Sequence, residues 1–117
     1  MKTLSVMHML FVQDMDRAIN FYEKAFDLKT LQKSPFWTNL DCGHGIVALC
    51  SAGNKTELKE TVLILEVDNY TEAIERIKEN GGQVIKVADP YPGVPIYNVV
   101  FTDTENNQLT ASQKVIE

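Results

Sequence analysis

The sequence predicts an α+β domain made of two tandem βαβββ modules, and three observations support this fold class. An apolar run followed by a helix cap occurs twice, 55 residues apart: residues 6–12 with Asp14 return as residues 61–67 with Asn69. Each occurrence precedes an amphipathic helix and three short β-like runs. The chain has 117 residues, 44% of them hydrophobic. A half of roughly 55 residues buries too little surface to fold stably alone. The halves must therefore share a core within one domain, residues 1–117.

The first module, about residues 1–52, is predicted to run strand, helix and three further strands. Residues 5–12 are rich in β-branched and apolar side chains, which favours a strand. Asp14 or Asp16 then caps a helix that extends to about Phe26, because a carboxylate accepts hydrogen bonds from the first free amides of a helix. The later strands are predicted over residues 28–33, 37–41 and 46–50.

The second module, about residues 61–117, follows the same plan. A strand over residues 62–67 leads to Asn69, which caps a helix over residues 70–80, and the pair Gly81-Gly82 ends it. The polar segment 51–60 between the modules is predicted to be a linker. The last three strands are predicted over residues 84–87, 96–101 and 108–112.

Composition and charge exclude several functions. The net charge of -5, with no cluster of Lys and Arg, argues against a nucleic-acid partner and suits a neutral or cationic ligand. No apolar leader and no run of eighteen apolar residues is present, so no membrane partner is expected. Cys42 and Cys50 are interpreted as reduced thiols of a cytoplasmic protein.

Residues 14–28, DMDRAINFYEKAFDL, resemble the D-hydrophobe-x-x-[SA]-hydrophobe-x-FY signature of the glyoxalase, bleomycin-resistance and dioxygenase group, the vicinal oxygen chelate superfamily. Residues 66–69, 80–82 and 101–109 are similar to the family's second-half motifs. Thr104 and Asn106 replace the usual Pro and Gly of the last motif, and Asn tolerates the left-handed backbone that such a turn needs. The resemblance implies two modules whose sheets form an open, curled mixed sheet, a cup.

The same resemblance implies where a metal would bind. Metalloenzymes of the superfamily hold a divalent metal on four inward positions, which correspond here to Met7, Val62, Thr110 and Ala48 or a neighbour of Ala48. Hard divalent metals need carboxylate, imidazole or carbonyl donors, and none of these side chains supplies one. We therefore expect no metal and no cofactor, and we assign no catalytic residue.

The two histidines are the remaining candidate ligands. If Met7 faces the cup, alternation along the strand turns His8 toward the helix layer, although a bulge in the first strand would reverse this. His44 with Cys42 and Cys50 lacks the paired spacing of structural zinc sites. We therefore expect His8 to be a half-buried histidine without a ligand role. We expect His44 to be an ordinary hairpin residue and both cysteines to be ordinary thiols.

Strand alternation also predicts the lining of the cup. Glu66 points inward near apolar side chains, so it needs a protein donor or a cationic ligand unless it lies far enough toward the strand end to be solvated. Aromatic side chains form a stacking wall, with core packing as the alternative for Trp37 and Tyr97. Other carboxylates, Glu105 among them, lie in contexts typical of solvated surface. The predicted ligand-binding residues are Met9, Phe11, Phe36, Trp37, Glu66, Tyr91, Tyr97 and Thr110.

These features favour a metal-free small-molecule binding protein, similar to the bleomycin-resistance branch, that sequesters an aromatic, cationic ligand. Met9, Phe11 and Ile64 leave an apolar face uncovered, which predicts a homodimer with the cleft at its interface. The alternative is a glyoxalase-like lyase or a dioxygenase-type metalloenzyme of the same superfamily. A third possibility is a dimeric domain whose cup is filled by its own side chains.

Overall fold

The computed structural model describes residues 1–115 and places two helices and eight strands in two modules. The predicted βαβββ order is confirmed in both, and the last two residues of the predicted second module lie outside the described ones. The first module contains β1 (Met7–Val12), α1 (Met15–Phe26), β2 (Lys29–Lys33), β3 (Trp37–Asp41) and β4 (Ile46–Ser51). The second contains β5 (Lys59–Glu66), α2 (Tyr70–Glu79), β6 (Gln83–Ala88), β7 (Ile96–Thr102) and β8 (Asn107–Lys114).

Each module forms its own mixed sheet of four strands. The strand orders are β1-β4-β3-β2 and β5-β8-β7-β6, with the first and last strands of each module parallel and the other pairs antiparallel. β1 and β5 are therefore edge strands. A groove of about 380 Å³ runs between residues 8–11 of β1 and residues 59–62 of β5. The predicted open, curled mixed sheet thus consists of two halves that meet along this groove.

Two strand starts differ from the prediction by more than one residue, because pairing decides them. β1 begins at Met7, opposite Ile46, the first residue of β4. β5 begins three residues earlier than predicted, because Lys59 pairs with Asn107 before the register shifts between Glu60 and Ile64. The connection between the modules is correspondingly shortened to residues 52–58.

The helix caps are those that the sequence predicts. Asp14 Oδ1 accepts a hydrogen bond from Arg17 N at 3.0 Å, and Asn69 Oδ1 accepts one from Glu72 N at 3.1 Å. Gly81 follows α2 with a φ of 93°, in the left-handed region that favours glycine. Among residues 1–115, no helix is long and apolar enough to cross a membrane.

The two modules share one hydrophobic core, as the chain length predicts. Phe21 of α1 packs against Phe101 of β7, with ring centroids 6.2 Å apart. At Gly82, a Cβ would lie 2.8 Å from side-chain atoms of both Phe21 and Ile77. Glycine is therefore needed there for the close approach of α1 to the second module.

Candidate functional site

One face of both sheets is free of helices, and the strands present alternate residues to it. Along β1, Met7, Met9 and Phe11 are exposed, whereas Leu10 and Val12 are buried under the helices. Because side chains alternate along a strand, the exposed residues define the face that we name the open face. Met7 therefore lies on the open face, which decides the register of β1 that the sequence left open.

The histidine and cysteine side chains do not gather at one place in the fold, although Cys42 and His44 both lie in the β3–β4 hairpin. His8 is half-buried on the same side of β1 as Leu10, which points it toward the helix layer as predicted. Cys42 and Cys50 are free thiols. Within the described part of the chain, no group of three or more His, Cys, Asp or Glu side chains is placed to hold a metal ion.

An aromatic row crosses the open face of the first module. Phe11, Cys50 and Trp37 stand opposite one another on the adjacent strands β1, β4 and β3. Phe11 and Trp37 are each 41% exposed. Trp37 Nε1 donates to Asn39 Oδ1 at 2.8 Å, which fixes the orientation of the indole. Cys50 was missed as a lining residue, although alternation from Ala48 places it on this face.

A polar row takes the corresponding place in the second module. Glu66, Ser112 and Asn98 stand opposite one another on β5, β8 and β7. Glu66 Oε2 lies 3.6 Å from Lys114 Nζ, and the two side chains are 61% and 72% exposed. The Glu66 carboxylate is therefore solvated and paired with a lysine of its own chain, and its role in ligand binding stays a prediction.

Within one chain, Trp37 and Glu66 lie at opposite ends of the open face. Trp37 pairs with Cys50 near the end of β4, whereas Glu66 lines a pocket together with Ile46 at the beginning of β4. At about 3.3 Å per residue, the four steps from Ile46 to Cys50 span about 13 Å. One chain does not bring the predicted aromatic and acidic contacts together.

The other predicted site residues are dispersed. Phe36 is 75% exposed immediately before β3, and Tyr91 is 60% exposed in the loop after β6. Thr110 lies on the open face beside Ile64. Tyr97, by contrast, stacks on Tyr70 with ring centroids 4.3 Å apart. Alternation along β7 places Tyr97 on the helix side of the sheet. Its position therefore agrees with core packing, the alternative to a place in the stacking wall.

The sequence interpretation of Glu105 as a solvated surface carboxylate is wrong. Its side chain is fully buried between the modules. The carboxylate accepts hydrogen bonds from Gln13 N at 2.9 Å, Asp14 N at 2.8 Å, Arg17 Nε at 2.7 Å and Thr104 Oγ1 at 2.9 Å. Burial raises its pKa, but these donors outweigh burial and lower the pKa below its ordinary value.

A second buried carboxylate lies in the same turn. Asp103 accepts hydrogen bonds from Tyr22 Oη at 2.6 Å and from Asn107 Nδ2 at 3.0 Å. Burial raises the pKa of Asp103 above its ordinary value, against the opposing effect of these donors. Asn107 Nδ2 also lies 2.9 Å from Phe11 O, which ties the turn to the aromatic row. We name residues 103–107 with Tyr22 and Arg17 the inter-module clamp.

The backbone of this turn agrees with the sequence expectation. Asn106 has a φ of 62°, as predicted for an asparagine in the place of the usual glycine. A sequence profile described as "Glyoxalase/Bleomycin resistance protein/Dioxygenase superfamily" matches residues 5–110. The chain belongs to this superfamily.

Individual proteins are similar to this chain in sequence or in fold. The chain is 31% identical over 105 residues to a lactoylglutathione lyase of Escherichia coli O157:H7, a match that covers 73% of each protein. The fosfomycin resistance protein FosX from Mesorhizobium loti superposes with a TM-score of 0.75 at 19% identity, covering 99% of this chain and 95% of FosX. TioX from Micromonospora sp. ML1 has a TM-score of 0.74 at 20% identity, with coverage of 97% and 100%. These structures share the fold.

The metal positions that the superfamily resemblance implies carry unsuitable side chains. Met7 and Val62 are 52% and 90% exposed on the edge strands, while Ala48 is buried and Thr110 half-buried. Their side chains end in a thioether, methyl groups and one hydroxyl. A divalent metal that prefers carboxylate or imidazole ligands does not fit this donor set.

Proposed function

We propose that this superfamily member is a metal-free small-molecule binding protein, which sequesters an aromatic, cationic ligand in a cleft at the interface of a homodimer. The observation that carries the proposal is the aromatic row, exposed on a face whose metal positions hold no suitable donor. Sequestration requires a concave surface with stacking groups and needs no reacting group.

The stacking part of the site rests on Trp37 and Phe11. The hydrogen bond from Trp37 Nε1 to Asn39 satisfies the polar atom of the indole and leaves its ring face for a ligand. A cation over an indole face contributes about 0.5–1 kcal/mol when exposed and about 2 kcal/mol when desolvated. A planar cation gains both this attraction and the burial of its ring.

The separation of the aromatic and acidic contacts within one chain supports the proposed dimer. The open face exposes Val62, Ile64 and Met9 by 90%, 59% and 41%, and a partner would remove this apolar surface from water. A two-fold axis across the face would also bring Glu66 of the partner subunit toward Trp37, forming two equal clefts. A stable interface of this kind buries at least about 1,000 Å².

A calorimetric screen of aromatic cations, including glycopeptide-type antibiotics, tests the ligand class. For a binder so found, Trp37→Ala is expected to weaken both the cation and a neutral analogue, because both lose the stacking surface. Glu66→Gln should weaken the cation alone, and Glu79→Gln, at an exposed position at the end of α2, is the matched control. Absence of any binder, or an unchanged affinity in Trp37→Ala, contradicts the proposal.

The alternative is a lyase or dioxygenase-type metalloenzyme, and the identity of 31% to a lactoylglutathione lyase favours it. Metal content and thermal unfolding separate the two functions. We expect well under one equivalent of metal in the untreated protein and no rise in Tm on adding Ni, Zn, Mn or Fe, since a bound metal would stabilise the fold. A stoichiometric metal with a clear shift in Tm would establish the alternative.

A further inference from the structure

A pocket at the junction of the modules lies apart from the aromatic row. It has a volume of about 410 Å³ and opens between the β3–β4 hairpin and the end of β5. Cys42, His44 and Glu66 lie among its lining residues. The rest of the lining is mainly apolar and includes Phe26, Leu28, Val47, Leu63, Leu65 and Val67.

An acidic pocket of about 620 Å³ adjoins it. The two share Phe26, His44, Glu66 and Val67 in their linings, so they form one continuous groove with an apolar half and an acidic half. We name it the junction groove. It lies within one chain and contains no residue of the aromatic row.

The acidic half carries more negative than positive charge. Its lining contains the carboxylates of Asp27, Glu66, Asp68 and Glu72 against the single guanidinium of Arg76. Arg76 is engaged already, with Nη1 2.8 Å from Asp27 Oδ2 and Nη2 2.8 Å from Glu72 Oε1. Within residues 1–115, Asp68 forms no ion pair, and Glu66 meets only the exposed Lys114 at 3.6 Å. Glu66 and Asp68 are thus the carboxylates available to a ligand.

We propose that the junction groove binds an amphipathic organic cation, with its apolar part among the side chains of the apolar half and its ammonium group near Glu66 and Asp68. A pocket of a few hundred Å³ with mainly apolar walls and a few polar groups at one end is typical of small-molecule sites. The carboxylates reject an anionic head group, because two like charges repel. This site goes beyond the proposed function: the two share Glu66, but Trp37 and Phe11 of the aromatic row lie outside the junction groove.

Three probes that differ only in their head group test the proposal: octylammonium, octan-1-ol and octanoate. Isothermal titration calorimetry of the intact chain should give the highest affinity for octylammonium, a lower one for octan-1-ol and the lowest for octanoate. Glu66→Gln is expected to lower the affinity for octylammonium about tenfold, the size expected for a hydrogen bond to a charged group, and to leave octan-1-ol within about twofold. Glu60→Gln on the same strand is the charge-matched control.

A second variant tests the location without removing a charge. Gly45 lines the apolar half, and a Cβ there has no neighbour within 4 Å. Gly45→Phe places a bulky side chain at the edge of the apolar half and should lower the affinity for octylammonium and octan-1-ol, whereas Gly45→Ala should change either affinity by less than about threefold. Both variants should keep the wild-type Tm.

Trp37→Ala distinguishes this site from the proposed function. It should leave the affinity for octylammonium unchanged, and a loss of binding in Trp37→Ala would assign the probe to the aromatic row instead. Equal affinity for octanoate and octylammonium, or unchanged binding in Gly45→Phe, overturns the proposal. No measurable binding of octylammonium to the wild-type protein overturns it too.

Discussion

The inter-module clamp and the open face reverse the usual distribution of polar and apolar groups. In the clamp, Glu105 is fully buried and Asp103 is 5% exposed, while on the open face Val62 is 90% exposed. Within the described residues, every buried side-chain nitrogen or oxygen has a hydrogen-bond partner. The buried carboxylates therefore find all their hydrogen-bond partners inside one chain. The exposed apolar side chains, in contrast, remain in contact with water.

This difference separates stability from binding. Removing a buried carboxylate that has several donors lowers the stability of the fold, because the donors lose their hydrogen bonds and remain out of water. An exposed apolar side chain contributes little to folding, because it is removed from water only when a ligand or partner covers it. Substitutions in the clamp should change the free energy of unfolding, and substitutions on the open face should change association.

The largest effect is expected for Glu105→Ala. It leaves Arg17 and the amides of Gln13 and Asp14 without their acceptor, which should destabilise the fold by about 3–5 kcal/mol in urea denaturation. Glu57→Ala, at an exposed position, is the control and should stay within about 0.5 kcal/mol. If the alanine variant does not fold, Glu105→Gln should still lose stability, because it lacks the charge that Arg17 meets. Wild-type stability in both variants would mean that the clamp is dispensable.

A smaller loss is expected for Tyr22→Phe. The ring stays in the core, but Asp103 loses the donor at 2.6 Å. We expect a loss of about 1–3 kcal/mol in the free energy of unfolding, the usual cost of leaving a buried acceptor one donor short. Tyr91→Phe removes an exposed hydroxyl and should be neutral. Equal stability of the two variants would show that the buried hydroxyl contributes nothing.

The pH dependence of stability should distinguish the two clamp carboxylates. The lowered pKa of Glu105 contributes stability that is present above its ordinary value of 4.5 and is lost as the pH falls through the lowered value. The raised pKa of Asp103 acts in the opposite direction: its contribution is present below 3.8 and is lost as the pH rises through the raised value. The difference in unfolding free energy between the wild type and Glu105→Gln should therefore shrink as the pH falls below 4.5. A difference that grows toward acid contradicts this assignment.

The smallest effect on folding is expected on the open face. Val62→Thr and Ile64→Thr should change the free energy of unfolding of the monomer by no more than about 0.5 kcal/mol, since both side chains are exposed. Light scattering should show a dimer for the wild type at micromolar concentration and a shift toward monomer for the double variant. A wild-type monomer would contradict the proposed dimer. A large loss of monomer stability would contradict the statement that side chains of the open face contribute little to folding.

Much of the fold can be predicted because its signals are local. The repeat 55 residues apart predicts both modules, and Asp14 and Asn69 predict the helix starts, since a cap acts within three residues. Alternation predicts which face receives Met9 and Phe11, because the period of a strand is two. The residue type at position 106 predicts a left-handed turn, because asparagine tolerates that backbone conformation.

Long-range packing decided the rest. Glu105 has the local context of a surface turn, and only contacts with residues 88 to 92 positions away make it the buried acceptor between the modules. Strand alternation places Trp37 and Glu66 on one face, but the arrangement of the two sheets puts them at opposite ends of it. By itself, the sequence determined the secondary structure and the face on which most side chains lie, because these depend on neighbours along the chain. The distances between functional groups were decided by the tertiary structure, because they depend on how two separately paired sheets pack.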